Sequence, residues 1–159
     1  MKRGYKEMVD EAFAAVTTLS TADAIKLAND PNVVFVDVRD VRELEREGLV
    51  PNSFHAPRGM LEFWIDPDSP YHKPVFAEQK QFVFYCAAGW RSALSTKLAQ
   101  DMGLTNVAHI DGGFGAWKDL LAAPELGGAL RLALLSGIGS TLIALALAIG
   151  IAEVSHNTR

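Results

Sequence analysis

The chain has 159 residues, a single cysteine and a net charge of about −4, with charged residues making up 21%. That length holds one domain of ordinary size plus an appendage. The acidic balance offers no basic surface of the kind nucleic acid needs, and one thiol excludes an internal disulfide, which fits a reducing compartment such as the cytoplasm.

The first stretch, MKRGYKEMVDEAFAAV, starts basic but carries Glu7, Asp10 and Glu11 and no apolar run of signal-peptide length. It predicts an amphipathic helix over residues 1–17. Ser20 is an expected N-cap, with Asp23 three residues on, for a short helix to Ala28 that Asn29-Asp30-Pro31 ends. VVFVDV, Val33 to Val38, is a near-continuous β-branched run suited to a strand buried on both faces of a parallel sheet.

DVRELERE then supports a small helix that Gly48 stops. Ser53 to Ala56 is a short strand candidate and Gly59 to Trp64 a short helix; Pro67, Pro70 and Pro74 make an irregular surface excursion. Gln81 to Tyr85 forms the next strand, a helix runs from Arg91 to about Met102, Val107 to Ile110 is another buried strand, and a helix follows near Phe114 to Leu121. Alternation of this kind implies an α/β domain with a parallel sheet.

Sites in an open parallel sheet gather beyond the carboxyl ends of the strands. Cys86 sits there, with Asp37 and Arg39 ending another strand and Asp111 a third. The small loop Ala87-Ala88-Gly89-Trp90 lets backbone N–H groups turn inward and leads into a helix N-terminus at Arg91-Ser92, an arrangement that cradles anions. Helix-end dipoles and Arg91 favour a thiolate, the nucleophilic form of cysteine, and the same donors would hold an incoming sulfur oxyanion. The plainer alternative for Cys86 is a small buried hydrophobe.

At this point VDVRDVREL (Val36 to Leu44), EGLVPNSFHAP (Glu47 to Pro57), YCAAGWRSA (Tyr85 to Ala93) and HIDGGFGAW (His109 to Trp117) together resemble the rhodanese-like domains, over about Thr18 to Leu121. The resemblance implies a five-stranded parallel sheet with helices on both faces, in a domain at 18–123. It also implies a sulfurtransferase moving a sulfane sulfur from thiosulfate or a persulfide donor, small or protein-bound, to a thiol or cyanide. Cys86 would carry the sulfur and Arg91 stabilise it, with Ala87, Ala88, Gly89, Trp90 and Ser92 binding substrate and Asp37 and Arg39 supporting the loop. No cofactor or metal is implied.

Phosphatases that share the fold resemble the chain too, but they use C-x5-R, whereas Cys86 to Arg91 is C-x4-R. The shorter loop favours sulfur transfer over phosphatase or arsenate reductase chemistry. A rival from another class is a non-catalytic module that binds a partner or senses redox state through Cys86. The family's usual Gly-His-Ile-Pro-Gly-Ala is here Gly48-Leu49-Val50-Pro51-Asn52-Ser53, which keeps the turn and changes its polar contacts.

Among the remaining residues, His55 reads as a satisfied strand histidine and Arg58 as solvated, each with a place lining the pocket as the alternative, the Glu43 to Glu47 charges as solvated, and Phe114 and Trp117 as core. Trp90 divides evenly between a lid or partner contact and packing on the domain itself. From Leu132 to Ala152 the sequence has no charged residue, which predicts an apolar helix at 130–152 of about 31 Å, the thickness of a hydrocarbon core. A membrane anchor holding a cytoplasmic domain is expected, with a soluble packed helix as the alternative. The stripe Ser136, Ser140, Ala144, Ala148 and Ala152 would let two such helices form a homodimer.

Overall fold

The computed structural model describes residues 2–123. The apolar helix expected at 130–152, and the dimer stripe on it, lie outside the described residues. None of the helices among the described residues is long and apolar enough to cross a membrane.

Five strands, β1 (Thr17–Leu19), β2 (Val33–Asp37), β3 (Phe54–His55), β4 (Gln81–Tyr85) and β5 (Val107–Ile110), form one sheet. Their order is β1-β5-β4-β2-β3, and every neighbouring pair is parallel. In β2 and β4 alternate side chains serve opposite faces, as the two-residue period of a strand requires. Val36, Phe82 and Phe84 pack one face with Leu61, Ile65 and Phe76, while Phe35, Val83 and Tyr85 pack the other with Ala24, Phe114 and Trp117. Each such large side chain contributes roughly 1.5–3 kcal/mol on burial, and this is why the central strands read as unbroken apolar runs.

Helices α4 (Leu61–Ile65) and α5 (Trp90–Asp101) cover the first face, and α1 (Tyr5–Ala15) packs on α5. On the second face lie α2 (Thr21–Lys26) and α6 (Gly113–Ala122). Ser20 caps α2 as its sequence predicts, accepting from the Asp23 N–H at 3.1 Å. The helix α3 (Val41–Glu47) begins with a capping box between Asp40 and Glu43, and the Gly48 N–H closes it on the Leu44 carbonyl at 2.8 Å.

Several boundaries differ from expectation. The strand β1 was not visible in the residues, because Thr17 and Thr18 are exposed and the element is a three-residue edge paired with β5 alone. A 3₁₀ turn at Arg58–Met60 precedes α4 where one helix was expected. The proline-rich excursion is not wholly superficial, since a 3₁₀ turn at Pro74–Ala77 buries Phe76 against Phe54 and Phe82. In the altered turn, Asn52 takes the left-handed conformation at φ +61°, which asparagine tolerates. Ser53 bonds the Tyr85 hydroxyl at 2.8 Å.

Candidate functional site

The chain leaves β4 at Tyr85 and enters the loop at Cys86. From there it passes to β5 on one side, while β2 and β3 lie on the other, so the loop occupies the point where the winding reverses. Cys86 is 2% exposed. Its Sγ accepts a hydrogen bond from the Gly89 N–H at 3.2 Å. Gly89, at φ +98°, is the N-cap of α5 and supplies no side chain, so the first N–H groups of that helix have no capping partner.

The loop is held from beneath by α6. The Phe114 N–H donates to the Cys86 carbonyl at 2.7 Å, and the Gly115 N–H donates to the Ala87 carbonyl at 3.1 Å. The approach is close enough that a Cβ on Gly113 would lie 2.3 Å from the Cys86 oxygen. Ser92 is wholly buried and its hydroxyl donates to the Gly89 carbonyl at 2.9 Å, so its side chain closes the loop from inside. Ala88 and Trp90 are exposed, and Ala87 is half-buried.

Arg91 forms a two-pronged ion pair with Glu43, Nη1 to Oε2 at 2.7 Å and Nη2 to Oε1 at 2.8 Å. The expectation of a solvated face is therefore corrected at this position: the Glu43 side chain is 19% exposed and also accepts from the Asp40 N–H at 3.1 Å. The Arg91 guanidinium holds the Glu43 carboxyl down at about 2, against an ordinary 4.5, and Glu43 in turn raises Arg91. Glu45 remains exposed, while Glu47 is half-buried and lies 3.6 Å from Lys118.

Asp37 and Arg39 are fully buried and bonded to each other, with Arg39 Nη2 to Asp37 Oδ2 at 2.6 Å and Nε to Oδ1 at 2.9 Å. Arg39 also donates to the Gly48 carbonyl at 2.7 Å, and its guanidinium lies 4.3 Å from the centre of the Phe114 ring. Phe114, whose ring lies by Arg39, donates its N–H to the Cys86 carbonyl and so links this pair to the loop. Arg58, expected to be solvated, is half-buried and donates to the Arg91 carbonyl at 3.2 Å and to Ser95 Oγ at 3.1 Å. His55 is satisfied, its Nε2 lying 2.9 Å from the Arg39 carbonyl.

Two further contributors come from α1. The Phe13 ring sits edge-on to His109 with centroids 4.9 Å apart and lies 3.8 Å from where a Cβ on Gly89 would be. Tyr5 and Trp90 pair at 5.9 Å, and both stay exposed beside the loop. Glu43, Gly113 and Phe13 were missed as site residues. The Gly112-Gly113 doublet after a strand and the Asp40-x-x-Glu43 cap pattern were the available signals for two of them; nothing in the sequence marked Phe13. No cluster of three or more metal-ligating side chains occurs among the described residues.

Residues 20–120 match the family described as Rhodanese-like domain. A solved structure from Rhodopseudomonas palustris, of unknown function and described as a possible tyrosine phosphatase, is 63% identical; the match covers 75% of this chain and 92% of that one, with a TM-score of 0.73. The thiosulfate:glutathione sulfurtransferase of Saccharomyces cerevisiae is 33% identical over 94 residues, 56% of this chain and 67% of that protein. A human single-domain sulfurtransferase shares the fold, at 23% identity and a TM-score of 0.55 over 66% of this chain and 97% of the other.

Proposed function

Because this chain belongs to the rhodanese-like domain family, we propose that it is a sulfurtransferase whose Cys86 carries a sulfane sulfur as a persulfide. The observation that supports this most directly is the Cys86 sulfur at the head of α5, bonded by the Gly89 N–H at 3.2 Å in a loop clamped by α6. In the proposed cycle the Cys86 thiolate attacks the outer sulfur of thiosulfate or of a persulfide. A new S–S bond forms as the donor's S–S bond breaks, and the electron pair leaves with sulfite or a thiolate. An acceptor thiolate or cyanide then attacks the outer sulfur, and the Cys86 thiolate returns.

In this reading the Gly89 N–H, the end of the α5 dipole and Arg91 stabilise the sulfur anion. Ala87, Ala88 and Trp90 shape its surroundings, and Ser92 keeps the loop closed. Asp37 and Arg39 support it from below. Neither a metal nor an organic cofactor takes part.

Intact mass after incubation with thiosulfate or an alkyl persulfide is the test. A reducible gain of about 32 Da, one sulfur, is expected on the wild type and not on Cys86→Ser. Absence of the adduct with every donor would remove the reading and leave the non-catalytic, redox-sensing module in its place.

The resemblance to the Rhodopseudomonas palustris protein keeps a phosphatase reading in view. The loop, with four residues between Cys86 and Arg91, supports sulfur transfer over it, and hydrolysis of p-nitrophenyl phosphate that depends on Cys86 would reverse that preference. The uncharged run 132–152 completes the proposal as a membrane anchor that holds the domain at a bilayer and lets two copies pair there.

A further inference from the structure

We propose that His109 is a pH-sensitive latch for α1 and, through Phe13 and Gly89, a positioning residue for the Cys86 loop. Neutral, it keeps the helix seated; protonated, it unseats the helix and slackens the loop. For its effect on Cys86 the inference rests on the sulfurtransferase reading, and it adds regulation to that site.

His109 lies in β5, wholly buried, and the proposed cycle does not use it. Its Nε2 is 2.9 Å from Thr18 Oγ1 in β1, the strand that follows α1 directly, and the two residues are register partners. Its Nδ1 is buried with no hydrogen-bond partner. Against the ring stands Phe13 of α1, edge-on with centroids 4.9 Å apart, and Phe13 Cζ is 3.8 Å from where a Cβ on Gly89 would be. The Gly89 N–H in turn bonds the Cys86 sulfur at 3.2 Å. One imidazole therefore sits between the helix, the edge strand that follows it and the donor of the loop.

A neutral imidazole carries one proton, which the Thr18 bond can hold at Nε2. A second proton goes to Nδ1, where it finds no acceptor, and a buried charged donor without a partner is costly. Little around the ring offsets that charge. From α1 it meets the Phe13 ring, while Glu7, Asp10 and Glu11 are exposed; from β1 it meets the Thr18 hydroxyl. In β4 its register partner is Phe84, with Tyr85 on the other face of the sheet and Cys86 next along the chain. The buried side of α5 carries Ser92, Ser95 and Thr96. Asp111, exposed at the end of β5, favours the charge, but burial outweighs it and pushes the His109 imidazole below its usual 6.5.

Lifting α1 takes Phe13 off the ring and lets water reach Nδ1. The opened form then takes up a proton at the ordinary 6.5, whereas the seated form does not. Seating is thus fully stable above that pH and weakens as pH falls below it. With α1 lifted, Gly89 loses its packing against Phe13, and its N–H holds the Cys86 sulfur less firmly.

Backbone amide exchange over Tyr5–Ala15, read by mass and corrected for the intrinsic pH dependence of exchange, tests the latch on the full chain. Between pH 7.5 and 5.5 the protection of α1 is expected to fall about five- to tenfold in the wild type while β4 keeps its own. In His109→Gln, which retains a partner for Thr18 and takes up no proton, it should stay level. Sulfur loading onto Cys86 is followed alongside as the ratio of wild type to His109→Gln, which cancels the titration of the thiol itself. That ratio should drop at least about threefold over the same range, as the seated fraction declines. Level protection in the wild type, an equal fall in both proteins, or a constant loading ratio would overturn the proposal while leaving sulfur transfer standing. If neither protein loads from thiosulfate or an alkyl persulfide, the sulfurtransferase reading fails and α1 protection alone decides the latch. Should His109→Gln not fold, the imidazole resonances of the wild type carry the test, because His109 taking up its proton with α1 still protected would overturn it.

Discussion

At the scale of single residues, the loop depends on groups far from it in sequence. Gly113 lies at φ +58° directly under the Cys86 carbonyl. Gly113→Ala is expected to cost about 2–4 kcal/mol, from the strained backbone and the overlap together, and to cut sulfur loading; denaturant midpoints and the mass assay check both effects. Glu43 makes a second prediction, in acid. Its carboxyl lies at about 2 in the fold and 4.5 ordinarily, so the pair's stabilisation is complete above pH 4.5 and is lost as pH falls through about 2. Because Arg91 is partly solvated the amplitude is modest, about 1–2 kcal/mol, and unfolding followed between those values should lose that slope in Glu43→Gln. Cys86, Gly89 and Arg91 were legible together because the loop is one short stretch. Glu43 was not, because the helix that carries it meets the loop only across the folded sheet.

Among elements, α1 stands outside the family match at 20–120 yet reaches the loop, with Tyr5 paired to Trp90 and Phe13 3.8 Å from where a Cβ on Gly89 would be. Phe13→Ala should destabilise the chain by about 1–3 kcal/mol and slow sulfur loading by loosening Gly89, whose N–H faces the Cys86 sulfur. Phe13→Leu should restore most of the rate, and comparing loading rates at equal folded fraction distinguishes support of the loop from general loss of stability. The strands β2, β4 and β5 were readable because burial on both faces demands unbroken apolar sequence. By contrast β1 is a short edge strand fixed by its pairing with β5 and by the 2.9 Å bond between Thr18 Oγ1 and His109 Nε2. Pairing of that kind leaves no periodic trace in three residues.

For the whole molecule, every contact described to the Cys86 loop comes from residues between Tyr5 and Gly115. A chain ending at Ala123 should therefore load sulfur at the rate of the full chain. Carbonate extraction of membranes should release the shortened chain and retain the full one, if 132–152 is the anchor proposed. Full-length protein recovered in the carbonate supernatant would reject that anchor.

Local chemistry was written in the linear chain. The β-branched runs, the caps at Ser20 and Gly48, and the Cys-to-Arg spacing each depend on near neighbours, and they were enough to anticipate a parallel α/β domain with a thiol at a strand end. Long-range pairing was settled only by the fold. It joined Glu43 to Arg91 across 48 positions, pressed Gly113 under Cys86 and brought Phe13 to Gly89. The charge around a buried thiol depends on which groups converge in space, and in this protein convergence paired the loop's one arginine with a carboxylate from another helix.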